Sequence, residues 1–181
     1  MLFGIRYKKV ILTGDSCGGN LIIALTTMAI ERGFRVPDGI LPSYPNTIAT
    51  SSIFWPSMMT ALDDPILSVC LLVLVSKAIT PDGEHKFIGL KNQYISPGLC
   101  ASDETLTKFP PTRLVLAGIC PLKDEGLYFF NRLLQNGVNA TCKEFRLLPH
   151  AFLNFNLPIG RGMDEAKPAI YKCGDLIKEL M

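Results

Sequence analysis

The chain has little from which to build a metal centre or a disulfide framework. It has only two histidines, His85 and His150, and its six cysteines (Cys17, Cys70, Cys100, Cys120, Cys142 and Cys173) are widely scattered. They form no Cys-x-x-Cys pair and share no ligand spacing with either histidine, so no metal or other cofactor is implied. Several cysteines sit in apolar runs, which predicts buried free thiols in a reducing compartment. Neither sign of charge is in excess: 18 Lys and Arg against 16 Asp and Glu leave +2, so a nucleic-acid partner is not implied. A long apolar run is also lacking. Ile66 to Ile79 is too short to span a bilayer comfortably and is interrupted by Ser68, Ser76 and Lys77, so it reads as a buried or interfacial helix. Met1-Leu2-Phe3-Gly4-Ile5-Arg6 has no apolar core of the signal-peptide kind. These absences predict a cytoplasmic protein with no transmembrane segment and leave contact with a lipid surface open.

What is present is apolar and alternating. With 181 residues, 48% of them hydrophobic, the chain is long enough for one well-buried domain. Strand-like runs at Lys9–Thr13, Gly39–Tyr44, Thr112–Ala117 and Ala140–Leu147 alternate with helix-like runs, which predicts a mostly parallel α/β sheet of about four strands. The expected helices are Leu21 to Arg32, stopped by Gly33, then Lys123 to Gln135, stopped by Asn136-Gly137, and a last amphipathic one from about Asp164 to Leu180. Residues 47–109 break the alternation. They hold a helix signal after Asp63-Asp64-Pro65 and loop signals at Pro81-Asp82-Gly83 and Ser96-Pro97-Gly98, so they read as a cap-like insertion, with plain packing on the sheet as the alternative. His85 falls in a polar, loop-like setting there.

The chemistry concentrates in Gly14-Asp15-Ser16-Cys17-Gly18-Gly19-Asn20-Leu21. A Gly-x-Ser-x-Gly between a strand and a helix is the signature of a nucleophile elbow, in which a sharp turn holds the serine exposed above the sheet. Such a serine needs a base within hydrogen-bond reach and a carboxylate to orient that base, in the chain order serine, acid, histidine. His150, in a loop after the last strand, fits the base. The acid is expected after the third strand, within Ala117 to Glu125.

Four segments, taken together, resemble the hormone-sensitive lipase family of α/β-hydrolases, which are carboxylesterases and lipases. They are the elbow octapeptide, Tyr94-Ile95-Ser96-Pro97, Leu106 to Glu125, and Leu148-Pro149-His150-Ala151-Phe152-Leu153. The resemblance implies an α/β-hydrolase fold, acyl-ester substrates of lipid catabolism, and an acyl-enzyme formed on Ser16 with His150 as base. The backbone N–H of Cys17 would be an oxyanion donor, and Trp55, Met58, Met59 and Leu62 would line or cover an acyl pocket, with ordinary core packing as the plain alternative.

Two departures from the family pattern stand out. The family motif Asp-Pro-Leu-x-Asp-Glu begins with the catalytic acid, and this chain has Cys120 at that position. A neutral thiol cannot stabilise an imidazolium as a carboxylate does. Asp124 is the candidate substitute acid, although it and Glu125 also suit the first turn of the following helix. The family's His-Gly-Gly-Gly oxyanion loop lies upstream of the elbow strand, and this chain begins only a few residues before that strand. The expectation is therefore a partial fold, its C-terminal half, with an open edge on the first strand that invites self-association or a protein partner. An impaired relative serving as a lipid- or protein-binding module is the rival to an active esterase.

Overall fold

A computed structural model of the chain describes residues 8–50, 53–62, 64, 66–79, 90–155 and 163–181. Strands β1 (Ile11–Asp15), β2 (Gly39–Ser43), β3 (Thr112–Ile119) and β4 (Ala140–Pro149) form one parallel sheet in the order β1-β2-β3-β4. Helix α1 (Cys17–Glu31) links β1 to β2. The insertion between β2 and β3 carries α2 (Pro56–Thr60), α3 (Val69–Ile79), α4 (Pro97–Cys100) and α5 (Asp103–Leu106). Helix α6 (Lys123–Gln135) links β3 to β4, and α7 (Ala166–Leu180) follows β4. The loop signal at Pro81-Asp82-Gly83 and His85 lie outside the described residues.

Side chains alternate across each strand and so feed two cores. On one face Leu41, Val115 and Ala117 pack with Ala169, Leu176 and Leu180 of α7. On the other, Ile40 packs with Ile22 and Ile23 of α1 and with Phe129 and Leu133 of α6. The inner strand β3 is buried from Thr112 to Ala117, as the apolar run Leu114–Ala117 requires of a strand covered on both sides. Strand β1 has β2 on one side and no strand on the other among the described residues.

Helix α6 covers the expected residues, and Gly137 (φ 73°) and Gly33 (φ 66°) end α6 and α1 in the left-handed conformation that favours glycine. Strand β1 runs two residues later than expected. Val10 is taken up by the turn before β2, exchanging bonds with Asp38: its N–H meets Asp38 Oδ2 at 2.8 Å, and its carbonyl accepts from Asp38 N–H at 2.8 Å. Helix α1 starts at Cys17 rather than Leu21, because the elbow leads straight into it. The thiols divide: all six cysteines are free, with Cys120 and Cys173 buried, Cys100 and Cys142 half-buried, and Cys17 and Cys70 exposed. Among the described residues no helix is long and apolar enough to cross a membrane.

Candidate active site

The carboxyl ends of the strands bring the chemistry together. Asp15 of β1 pairs with Ser43 of β2, so the next residues, Ser16 and Tyr44, leave the sheet side by side. Ser16 takes φ 55° and ψ −121°, a backbone state that only an over-determined turn sustains in a non-glycine residue. Three main-chain bonds hold it: Ser16 N–H donates to the Ser43 carbonyl at 2.9 Å, and the Ser16 carbonyl accepts from Asn20 at 3.2 Å and Asn46 at 3.3 Å. The glycines serve this turn through close approach. A Cβ on Gly14 would collide with the Gly18 carbonyl, and one on Gly19 would stand 2.7 Å from Pro45 Cβ.

A register shift places the histidine. Ala117 pairs with Phe145, yet Ile119 pairs with Pro149, so β4 carries extra residues before its end. The next residues, Cys120 and His150, then emerge as neighbours. His150 Nε2 lies 2.9 Å from Ser16 Oγ, and Nδ1 lies 3.2 Å from Cys120 Sγ. Tyr44 packs edge-on against the imidazole at 5.1 Å between centroids and against Phe152 at the same distance, which fixes the ring plane. Ala151 turns left-handed (φ 58°) into a short 3-10 turn, Phe152–Asn154, and Asn154 donates back to Asp15 at 3.2 Å.

The electrostatics follow from burial. Burial pushes the His150 imidazole below its ordinary value, with Asp64 and Asp15 pulling the other way. Burial also pushes the Cys120 thiol up to about 12, so at neutral pH it is an uncharged SH beside the imidazole. The Leu122 N–H points at its sulfur from 3.4 Å. An imidazole nitrogen at hydrogen-bond distance from a hydroxyl can take its proton as the oxygen attacks an electrophile. Cys17 opens α1, where amides have no intrahelical acceptor, and no acidic side chain stands in that first turn.

A model of the α/β-hydrolase fold matches residues 2–154. The chain belongs to that family. It is 34% identical over 149 residues to an esterase of Fusarium pseudograminearum, which covers 82% of this chain and 44% of the relative. Over 71 residues it is 44% identical to the hormone-sensitive lipase of Mus musculus, covering 39% of this chain and 9% of that one. Carboxyl esterase 2 of the mycorrhizal fungus Tuber melanosporum superposes with a TM-score of 0.83 at 26% identity, over 98% of this chain and 55% of its own. Brefeldin A esterase, a bacterial homologue of human hormone-sensitive lipase, gives 0.78 at 26% identity, over 95% of this chain and 47% of its own. The chain thus spans about half the length of the esterases it matches, and the stretch shared with the hormone-sensitive lipase is a smaller part of that longer protein.

In this α/β-hydrolase, Asp124 is not brought to the imidazole. It opens α6, and its Oδ2 accepts from Ser57 N–H at 2.8 Å, tying the insertion to that helix. Glu125 is fully buried and turned to the loop after β2, where Oε1 accepts from Thr47 N–H at 2.6 Å, Ile48 N–H at 3.3 Å and Asn46 Nδ2 at 3.2 Å. Sequence reasoning missed Asp64, using it only to mark a helix start. It is buried, and its Oδ2 accepts from the His150 main-chain N–H at 3.4 Å.

The expected pocket residues divide. Trp55 is half-buried against Tyr128, and Met58 packs into the core beside Tyr44 and Cys120. Met59 and Leu62 face outward. Met58 also lines a small cavity of about 20 Å³ with Ile48, Phe54, Val69 and Leu72. Tyr94-Ile95-Ser96-Pro97 has a structural role: Ile95 carbonyl accepts from Asn20 Nδ2 at 2.9 Å, and Ser96 Oγ accepts from Ala49 N–H at 2.9 Å.

Proposed function

We propose that the chain carries the nucleophile and base of a serine ester hydrolase acting on acyl esters. The observation that supports this most is Ser16, on its strained turn, 2.9 Å from His150 Nε2. Ser16 Oγ attacks the ester carbonyl while its proton passes to Nε2. The resulting oxyanion takes a hydrogen bond from the Cys17 N–H. Collapse breaks the bond to the alcohol, which leaves with the proton from Nε2. Water then attacks the acyl-enzyme, again through His150, and releases the carboxylic acid. The insertion of residues 47–109 acts as a cap, with Trp55 and Met58 toward the acyl chain. The exposed Leu71 and Leu74 of α3 would suit a lipid surface, and free thiols at Cys17 and Cys70 suit a reducing, cytoplasmic setting.

The test is fluorophosphonate labelling of the chain, with Ser16→Ala, His150→Gln and heat-denatured controls. Label on Ser16 that His150→Gln cuts by two orders of magnitude or more, a roughly typical cost for removing a base, is the expected result. A folded chain that takes no label at Ser16 would sink the reading. The neutral thiol at Cys120 favours a second reading, an impaired hydrolase that binds acyl ligands or a protein partner without turnover. Acyl-ligand binding that survives Ser16→Ala, with no labelling of the parent chain, would select it.

A further inference from the structure

The imidazolium that forms during acyl transfer needs a negative charge nearby, and the side chain on Nδ1 is an uncharged thiol. The groups facing His150 come from four places. Asp15 ends β1 and Ser16 follows it, Tyr44 follows β2, Cys120 follows β3, and Asp64 comes from the insertion. Asp15, half-buried, spends a carboxylate oxygen on the exposed Asn154. Asp64 is only 4% exposed and is rigidly held: Oδ1 accepts from Ile66 N–H at 2.8 Å and Leu67 N–H at 2.9 Å, while Oδ2 reaches the His150 N–H at 3.4 Å.

From this placement, and resting on the reading of Ser16 and His150 as nucleophile and base, we propose that Asp64 is a positioning residue. It clamps the main chain of the base and supplies the buried carboxylate that the Cys120 position lacks. The charge acts through space and through the His150 backbone, leaving Nδ1 on the sulfur. A carboxylate so placed makes the imidazole more basic and opposes the effect of burial. It also couples the insertion to the base, because the same side chain caps the entry to the α3 segment.

The experiment is an NMR titration of His150 in the full chain carrying His85→Gln, which leaves one imidazole. Asp64→Asn should lower the His150 midpoint by roughly one pH unit, the scale of a nearby opposite charge. The acid limb of Ser16 labelling should move down with it, while the plateau rate falls about tenfold. Cys120→Ala should leave the midpoint nearly where it was, since it removes no charge. Asp64→Ser keeps an acceptor for the Ile66 and Leu67 amides and serves if the asparagine variant does not fold. An unmoved midpoint in a folded Asp64 variant overturns the proposal, as does a larger fall in Cys120→Ala than in Asp64→Asn. A midpoint that shifts as expected in Asp64→Asn, with a parent chain that takes no label, supports the Asp64–His150 pairing and instead overturns the hydrolase reading.

Discussion

Burial holds the Cys120 thiol neutral, and its sulfur already receives the His150 ring and the Leu122 N–H. An aspartate there would meet the same two donors and add the charge. Cys120→Asp should therefore raise the rate of Ser16 labelling a hundredfold or more, within the roughly ten-thousandfold worth of a triad carboxylate. Labelling kinetics decide it, and no gain in a folded variant would mean that the sulfur is not where the barrier lies. Glu125 gives a second, independent expectation. Burial raises its carboxyl to about 8 from an ordinary 4.5, and its Oε2 has no hydrogen-bond partner. Between those values the unfolded chain gives up the proton while the folded chain keeps it. Its contribution to stability is then greatest near pH 4.5 and below, falls as pH rises toward 8, and levels off above. The loss is a few kcal/mol, each tenfold difference in proton affinity being worth roughly 1.4 kcal/mol. Glu125→Gln keeps the acceptor for Thr47 and should flatten that slope; urea unfolding at pH 5 and pH 8 measures it.

Among the elements, the two helices following β1 and β3 show how far local sequence carries. Helix α6 was legible to the residue, because an amphipathic run ends at Asn136-Gly137 and nothing distant alters its limits. The start of α1 was not, because Gly18-Gly19-Asn20 reads locally as turn and becomes helix only when Ser16 is bonded to Ser43 and Asn46. Strand β1 slipped by two residues for a related reason: the short apolar run Val10-Ile11-Leu12 does not say where pairing begins, and Asp38 decides it from another segment. In the site, Ser16, Cys120 and His150 could be placed by chain order along the sheet. Asp64 could not, since its meaning comes from a contact with His150 across 86 positions. The elbow glycines separate the two kinds of constraint experimentally. Gly18→Ala meets nothing within 4 Å and should stabilise α1 by about 0.5–1 kcal/mol. Gly19→Ala would drive a Cβ to 2.7 Å from Pro45 Cβ and 3.0 Å from its Cα, costing about 1–3 kcal/mol in forced backbone shift. Urea midpoints of opposite sign are expected; equal shifts would mean that the turn relaxes around either methyl.

At the scale of the whole molecule, β1 has no strand on its outer side among the described residues. Val10, Leu12, Leu25, Met28, Phe34 and Val36 line an apolar groove of about 280 Å³ there. Leu21, Leu25 and Phe34 are 67%, 52% and 64% exposed on the same helix and its exit. Scattered exposed leucines are ordinary, but an apolar helix face beside an unpaired strand edge is a combination that natural sheets cover or blunt with charge. Among the described residues β1 has little of either: Thr13 is its exposed position, and Asp15 is its one charge. The 181-residue chain should therefore self-associate in a concentration-dependent way, through strand addition at β1 with burial of Leu25 and Phe34. Sedimentation velocity over a wide range of concentration would show it. Leu25→Glu with Phe34→Glu places charge in the groove without touching Ser16 or His150, and it should return the chain to monomer with its labelling rate unchanged. Association that persists in the double variant would move the contact elsewhere on the surface. A parent chain that stays monomeric throughout would refute association at the β1 edge.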